Sequence, residues 1–565
     1  MPETTPTAAL SQLQSLVSGF DSERTNEKLE LLEYLNTKST LAKDEVFRLH
    51  EILCFLRAYP DNKTVLSLVE EMLARFSRRR DLMRYHRALA DTGISGTTIH
   101  YPFYWQTAKW LLQRWPQAIT IDWREWENKE QLTSLWPLLL AQPAIESLEG
   151  LYLSPRKWIE TLKRPEDTDA AFLVRLFMRW KVNDTVKEVT YDGLNVSLKL
   201  APANRTPSRT TSKHPIQRIF FNHSERKSES TSRISTQIKR KPTSVRRVGK
   251  AEGKKLIDLA RVQMITRGRD LYGFVSSDPS DVRIVNYEAG IQFVCYGLQP
   301  EFRPLLEAMY VFLILKNGVP IGYTQAATLL GSSEVNFNIF DTFRGTETSR
   351  IFATTLAMVH YLFGSDAFVI NTQQIGEDNP EALQSGAFWF YHKHGFRPVD
   401  EEVHEIASVE LERKESEPGY RSNIRTLKEL AASDLHLFLG RARPDLVSNL
   451  AIHNVGLAAA KEMEKHARGS RSNGARECMK LAMEKLGYRP VNALSKSRRI
   501  AWERWSPILL AIPRLDKWSA ENKRAVIEVI NAKGSQRESD FVGLFDRHKL
   551  LRSAVIQLSK KEIHR

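Results

Sequence analysis

The segment Tyr310-Val-Phe-Leu-Ile-Leu315-Lys-Asn-Gly-Val319-Pro-Ile-Gly-Tyr323 decides how the middle of this chain folds. Two apolar runs flank Asn317-Gly318, the pair favoured where both central turn positions need positive φ, so the segment predicts an antiparallel β-hairpin. Toward the N-terminus, Ile291, Phe293 and Cys295 alternate with Gln292, Val294 and Tyr296 and predict another strand. A strand at about 282–286 and a helix over about 254–266 precede it. Toward the C-terminus the pattern predicts a strand at 334–340, a helix at about 346–363 and a strand at 367–373. A last helix over about 381–394 stops at Gly395, with His392, Lys393 and His394 in its final turn, where the helix dipole favours cations.

The order hairpin, strand, turn, helix, parallel strand, helix resembles the acyl-CoA N-acyltransferase (GNAT) superfamily, over roughly residues 255–412. Ala387-Phe-Trp-Phe-Tyr391-His-Lys-His-Gly395-Phe396 matches the family's helix motif A-x-x-x-Y-x-x-x-G-F. Phe343-Arg344-Gly345-Thr346 resembles the Arg-Gly step of its pyrophosphate loop. The resemblance implies a central α/β (α+β) mixed-sheet domain. It also implies an acyl-CoA such as acetyl-CoA as cofactor, an amine acceptor that includes protein amines, and Tyr391 as the acid beside the thioester sulfur.

The physics of such a loop stands without the family. A turn followed at once by a helix N-terminus aims unpaired N–H groups and partial positive charge at an anion. Arg344, Gly345, Thr346, Glu347, Thr348 and Ser349 are therefore the candidate cofactor-binding residues. The Glu347 carboxylate suits the dipole but repels a phosphate, and its other reading is a plain helix cap.

Strand periodicity puts Glu334, Asn336 and Asn338 on one face, opposite Val335, Phe337 and Ile339. Glu334 is the candidate base for the amine proton. Asn338 joins Glu334 and Tyr391 in the candidate catalytic set, and Asn336 and Asn338 would orient substrate. A solvent-facing strand surface gives the same pattern. Gln373 and Gln374, at the end of the 367–373 strand, and Asn379 are candidates for holding the acceptor. His392 and His394 lie on different sides of a helix, so no metal site is assigned.

At 565 residues the chain exceeds what one core supports, and it reads as multidomain. The expected divisions are a mainly helical 1–160, a small helix and hairpin at 161–203, a basic Ser/Thr/Pro-rich linker at 204–252, the acyltransferase-like 253–412 and a helical 413–565. In the first, Val46, Leu49, Leu53 and Leu56 share one helix face and Val65, Leu68, Met72 and Phe76 another, with Asn62 or Thr64 capping the second helix. The tryptophans between 105 and 136 read as core. Asp192-Gly193 reads as a hairpin turn before Leu194, Val196, Leu198 and Leu200.

The net charge of +15 is concentrated: residues 205–255 hold fifteen Lys and Arg against three Glu. Such a segment is either a solvated tether or a nucleic-acid contact. Cys54, Cys295 and Cys478 offer neither a disulfide framework nor a zinc ribbon. No apolar run approaches the roughly 18 residues of a membrane span, and the chain's start lacks a basic secretory n-region. The expectation is a cytoplasmic protein with no membrane partner. The leading function is acyl transfer to an amine. Its alternative is a non-catalytic interaction protein with a relic acyltransferase fold, binding nucleic acid through 205–255.

Overall fold

The computed structural model describes residues 5–148, 150–222, 234–345, 347–467, 469–490 and 493–560. The fold mixes helices with a three-stranded and a nine-stranded sheet. The described residues divide into two compact units. One draws on Met1–Lys227, Lys254–Ser276 and Leu315–Ile321, the other on Ser228–Gly253, Ser277–Ile314 and Gly322–Arg565.

In the first unit the helical hairpin is α1 (Lys43–Ala58) and α2 (Lys63–Arg75). Asn62 caps α2 by accepting from the Val65 amide at 2.9 Å. Val46, Leu49, Leu53 and Leu56 are wholly buried. The three-stranded sheet sets β1 (Ile99–Tyr101) and β2 (Ile119–Ile121) antiparallel on either side of β3 (Leu198–Leu200). Around it lies an aromatic core that includes Trp105, Trp126, Trp136, Phe177 and Tyr191, so these tryptophans pack as expected. Asp192-Gly193 is not a hairpin turn. It lies inside α4 (Asp184–Leu194), which ends where Asn195 takes the left-handed conformation, φ 50°. Tertiary structure overrides the local signal: Tyr191 and Leu194 are buried, and Asp192 is needed elsewhere.

That need is the start of α3 (Trp105–Arg114), which has no side-chain cap of its own. Asp192 accepts from the Trp105 amide at 2.7 Å, and Asp270 accepts from the Tyr104 amide at 2.9 Å and the Thr107 hydroxyl at 2.8 Å. Burial, with the mutual repulsion of the two groups as a smaller cause at Asp192, pushes both carboxyls up to about 6.

The nine-stranded sheet runs β11-β12-β10-β9-β8-β7-β6-β5-β4, with β4 Ser244–Arg247, β5 Ser277–Asn286, β6 Ile291–Leu298, β7 Ala308–Lys316, β8 Val319–Leu329, β9 Ser332–Ile339, β10 Ala367–Ile370, β11 Arg397–Pro398 and β12 Leu435–Phe438. Asn317 and Gly318 both take positive φ, 50° and 77°, as the hairpin between β7 and β8 requires. β9 pairs antiparallel with β8 and parallel with β10. The helix α5 (Lys250–Ile265) precedes β5, and α6 (Thr348–Phe363) connects β9 to β10.

Three expectations change here. The strand at 367–373 stops at Ile370, because Asn371 caps a short helix α7 (Thr372–Ile375), accepting from the Gln374 amide at 3.1 Å. The helix at 381–394 is two, α8 (Pro380–Ser385) and α9 (Ala387–Lys393), broken where Gly386 takes φ 67°. The 204–252 stretch is not all linker: Ile234–Ile238 is helical and β4 is a ladder partner of β5.

Packed against this sheet, α10 (Lys496–Ala511), α11 (Ala520–Lys533) and α12 (Ser539–Arg547) bring a buried polar network to it. The Tyr310 hydroxyl donates to Asp281 at 2.6 Å and accepts from the Ser539 amide at 2.8 Å. Lys533 and Glu538 form a buried pair at 2.6 Å. Arg303 donates to the carbonyls of Leu298, Lys533, Ser535 and Gln536.

Two measurements check these arrangements. Tyr310→Phe strands both Asp281 and the Ser539 amide, so it lowers stability by about 1–3 kcal/mol. Urea unfolding reads this as an earlier midpoint at unchanged m; an unmoved midpoint denies the bridge any weight. In the first unit, Asp192 and Asp270 bind protons in the folded state between about pH 4 and pH 6, where an unfolded Asp does not. Their contribution is therefore fully present below about pH 4 and is lost as pH rises through 6. Asp192→Asn, which keeps the acceptor for Trp105, flattens that dependence in denaturation profiles taken from pH 4.5 to 7.5.

Candidate functional site

The site is built from the place where two strands part. β9 and β10 pair only at Ser332/Ala367, Ser333/Phe368 and Glu334/Val369. Beyond Glu334 the chain of β10 turns into α7, so the β9 backbone loses its strand partner on that side. Gln374 Oε1 meets the Phe337 amide instead, at 3.2 Å. An extended ligand lying in this gap and pairing with β9 would have to displace that side chain.

β9 alternates as expected: Val335, Phe337 and Ile339 are buried, and Glu334, Asn336 and Asn338 are half-buried. Glu334 accepts from Asn371 Nδ2 at 2.7 Å. Burial pushes its carboxyl above the usual range, Asn371 opposes the shift, and the negative charges of Asp434 and Glu307 add to it. Asp434, which accepts from the Thr372 amide at 3.1 Å, is pushed up mainly by its own burial. The Oδ1 atoms of Asn336 and Asn338 and Oε2 of Glu307 are buried and find no donor among the described residues. His436 stands opposite Val369, itself beside Glu334, which puts it two strands away, about 10 Å. Burial pushes its imidazole down to about 4, and its Nε2 is also without a partner among the described residues.

The turn before α6 is open on one side. A Cβ built on Gly345 meets nothing within 4 Å. The Gly345 amide donates to Thr348 Oγ1 at 3.1 Å, and the Thr348 amide returns a bond to the Gly345 carbonyl at 3.0 Å. Glu347 precedes α6 and lies 3.6 Å from Arg350, which draws its charge along the helix flank. Ser349 is the second residue of α6 and is half-buried. Thr346 lies outside the described residues. Arg344 is engaged in-house: it pairs with Asp341 at 2.8 Å and Glu381 at 2.5 Å and donates to the Ile339 carbonyl at 3.0 Å. A pyrophosphate here would be held by backbone amides and hydroxyls, with Arg344 kept by its carboxylates. The amides of Gly345 and Thr348 and the Arg344 cation are all engaged within this region, so the group would have to displace those bonds.

Tyr391 is buried among Phe352, Phe390 and Phe396, with ring centroids 5.4, 5.3 and 6.1 Å away. Burial alone raises its pKa, so it holds its proton firmly. Phe352 and Phe390 also contact Phe337, which points to the β9 face opposite Glu334. The structure therefore brings Glu334, Asn336 and Asn338 together but does not bring Tyr391 to their face. Gln373 is exposed on α7, while Gln374 is turned to β9. Asn379 serves as the cap of α8, accepting from the Ala382 amide at 3.1 Å and donating to the Gln373 carbonyl at 2.9 Å.

Sequence reasoning missed Asn371, Asp434, His436 and Glu307. Only the turn role of Asn371 had a local signal; the others reach the site through chain folding. Among the described residues no group of three or more His, Cys, Asp or Glu is assembled for a metal, and no helix is long and apolar enough to cross a membrane. No protein-family model, curated protein or solved structure matches the chain.

The role given to Gln374 is directly measurable. Gln374→Ala leaves the Phe337 amide without its acceptor, so amide hydrogen exchange at Phe337 accelerates about tenfold or more while its β9 neighbours Val335 and Ile339 keep their rates. Unchanged exchange at Phe337 assigns the protection to something else.

Proposed function

We propose that the unit carrying the nine-stranded sheet is an N-acyltransferase, moving an acetyl or related acyl group from acyl-CoA to an amine. The observation that carries the reading is the parting of β9 from β10 just past a carboxyl held above its usual range. When bound, acyl-CoA supplies the acyl group as a thioester, whose carbon–sulfur bond is exchanged for a carbon–nitrogen bond. Glu334 takes the proton that the amine gives up, and its raised pKa suits that task. Asn336 and Asn338, with acceptor oxygens unspent, orient the amine. At the start of α6 the pyrophosphate is met by the Gly345 and Thr348 amides, which exchange their bonds within the turn for bonds to its oxygens, and by Ser349. Tyr391 enters by its motif position alone, as the acid for the departing sulfur.

A second reading, an interaction protein that keeps the fold without the cofactor, has one specific observation behind it: Arg344 is committed to Asp341 and Glu381. Calorimetric titration of the full chain with acetyl-CoA separates the two. Binding heat supports the enzyme, and none at millimolar ligand overturns it. Glu347→Gln removes a like charge from the loop and tightens binding about threefold to tenfold, equivalent to roughly 1 kcal/mol at a partly solvated site. Equal affinity means that the ion pair with Arg350 already neutralises the carboxylate.

A further inference from the structure

Residues 239–250 contain six cations, Lys239, Arg240, Lys241, Arg246, Arg247 and Lys250, and no acid. Arg246 and Arg247 are held on the sheet, and the other four flank that strand closely. The Thr243 amide donates to the Asn286 carbonyl at 2.8 Å, Ser244 to Arg247 pair in register with Asn286 to Arg283, and the Val248 amide donates to the Val282 carbonyl at 3.2 Å. Ile238 is wholly buried just before them. Gly253 closes the stretch against Pro279, whose carbonyl oxygen would lie 2.2 Å from any Cβ at that position. The segment is therefore a fixed structure carrying charge.

We propose that the β4 edge is a nucleic-acid-binding surface that takes the phosphodiester backbone without reading sequence. β4 ends the nine-strand order, so its outer edge has no strand partner in the sheet. All four of its residues are exposed. Lys239, Lys241, Arg247 and Lys250 are exposed as well, and no carboxylate of the described residues pairs with them. Arg246 is clamped by Glu252 at 2.7 and 2.9 Å, which fixes the strand's exit, and Arg240 is not among the available charges.

Charge on an edge strand also prevents sheets from joining edge to edge, but either sign serves that end. Four exposed cations, with no carboxylate of the described residues paired to them, go further and match a polyanion. Phosphates need only such point contacts, whereas a membrane surface also asks for apolar side chains that insert. Residues 234–253 have no aromatic residue, and Val245 is their one exposed large apolar side chain. The chemistry favours nucleic acid. The inference stands apart from the acyltransferase reading, since no residue of the β9 site takes part.

The test is fluorescence anisotropy of the full chain with a labelled 30-base-pair duplex of mixed sequence, between 50 and 300 mM salt. Binding that weakens steeply with salt, and equally for a scrambled duplex, is expected. The variant Lys239→Gln/Lys241→Gln/Arg247→Gln/Lys250→Gln is expected to bind at least tenfold more weakly at 100 mM salt, with a log–log salt slope shallower by about three to four. The pairs Lys239→Gln/Lys241→Gln and Arg247→Gln/Lys250→Gln, each losing about half that slope, keep the test decisive if the fourfold variant folds poorly. No binding at 50 mM salt, equal binding by the variants, or loss of phosphatidylserine-vesicle binding with duplex binding unchanged overturns the proposal.

Discussion

The parallel ladder between β9 and β10 runs for three residue pairs and stops, and the candidate site exists because it stops. Asn371 ends the strand by capping a helix turn, which commits the following backbone to local hydrogen bonds. A strand beside such a turn keeps backbone groups that must still be satisfied. Gln374 supplies one acceptor, and Glu334, the last paired residue, is left where the chains separate. Its neighbours there are Asn371, Asp434 and two asparagines with unspent oxygens, a cluster richer in acceptors than in donors. That imbalance suits a ligand that brings N–H groups.

A second constraint works at depth. Asp281, Arg283, Arg303, Lys533 and Glu538 are buried in one unit, and desolvation of so many charges is costly unless each is compensated. Glu538 is paired with Lys533, Arg303 donates to backbone carbonyls and the Tyr310 hydroxyl donates to Asp281, so the charges hold the C-terminal helices in one register. Gly297 belongs to the same arrangement, because a side chain there would strike the Asp281 carboxylate. Removing a single partner leaves a buried charge alone, which costs more than the pair contributes.

Strands and helices of the central region were legible in the sequence because their signals are local: the Asn317-Gly318 turn, the alternation of β9, the helix stop at Gly395. The α1–α2 hairpin was legible for the same reason, through apolar spacing and the Asn62 cap. Asp192-Gly193 misled because an identical dipeptide suits a turn or a helix end, and only the distant need of Trp105 for an acceptor chooses between them. Gln373 and Gln374 were placed on a strand because the one local signal that ends it, the capping side chain of Asn371, is a single residue set against the apolar run before it. In the site, the β9 face was readable from period two alone. Asp434, His436 and Glu307 were not, since each arrives through contacts between residues far apart in the chain.

The three cysteines bear on how this molecule is handled at the bench. Cys54, Cys295 and Cys478 are buried and unbonded to one another, and for Cys295 burial pushes the thiol up to about 12. At Cys54 burial is outweighed by the neighbouring His50, which holds the thiol below its usual value, so there it is burial's denial of access that protects. Alkylating reagents need both thiolate and access. The folded chain thus presents a silent background to maleimides, and a single cysteine introduced on its surface would accept a spin label or fluorophore without removal of the native three.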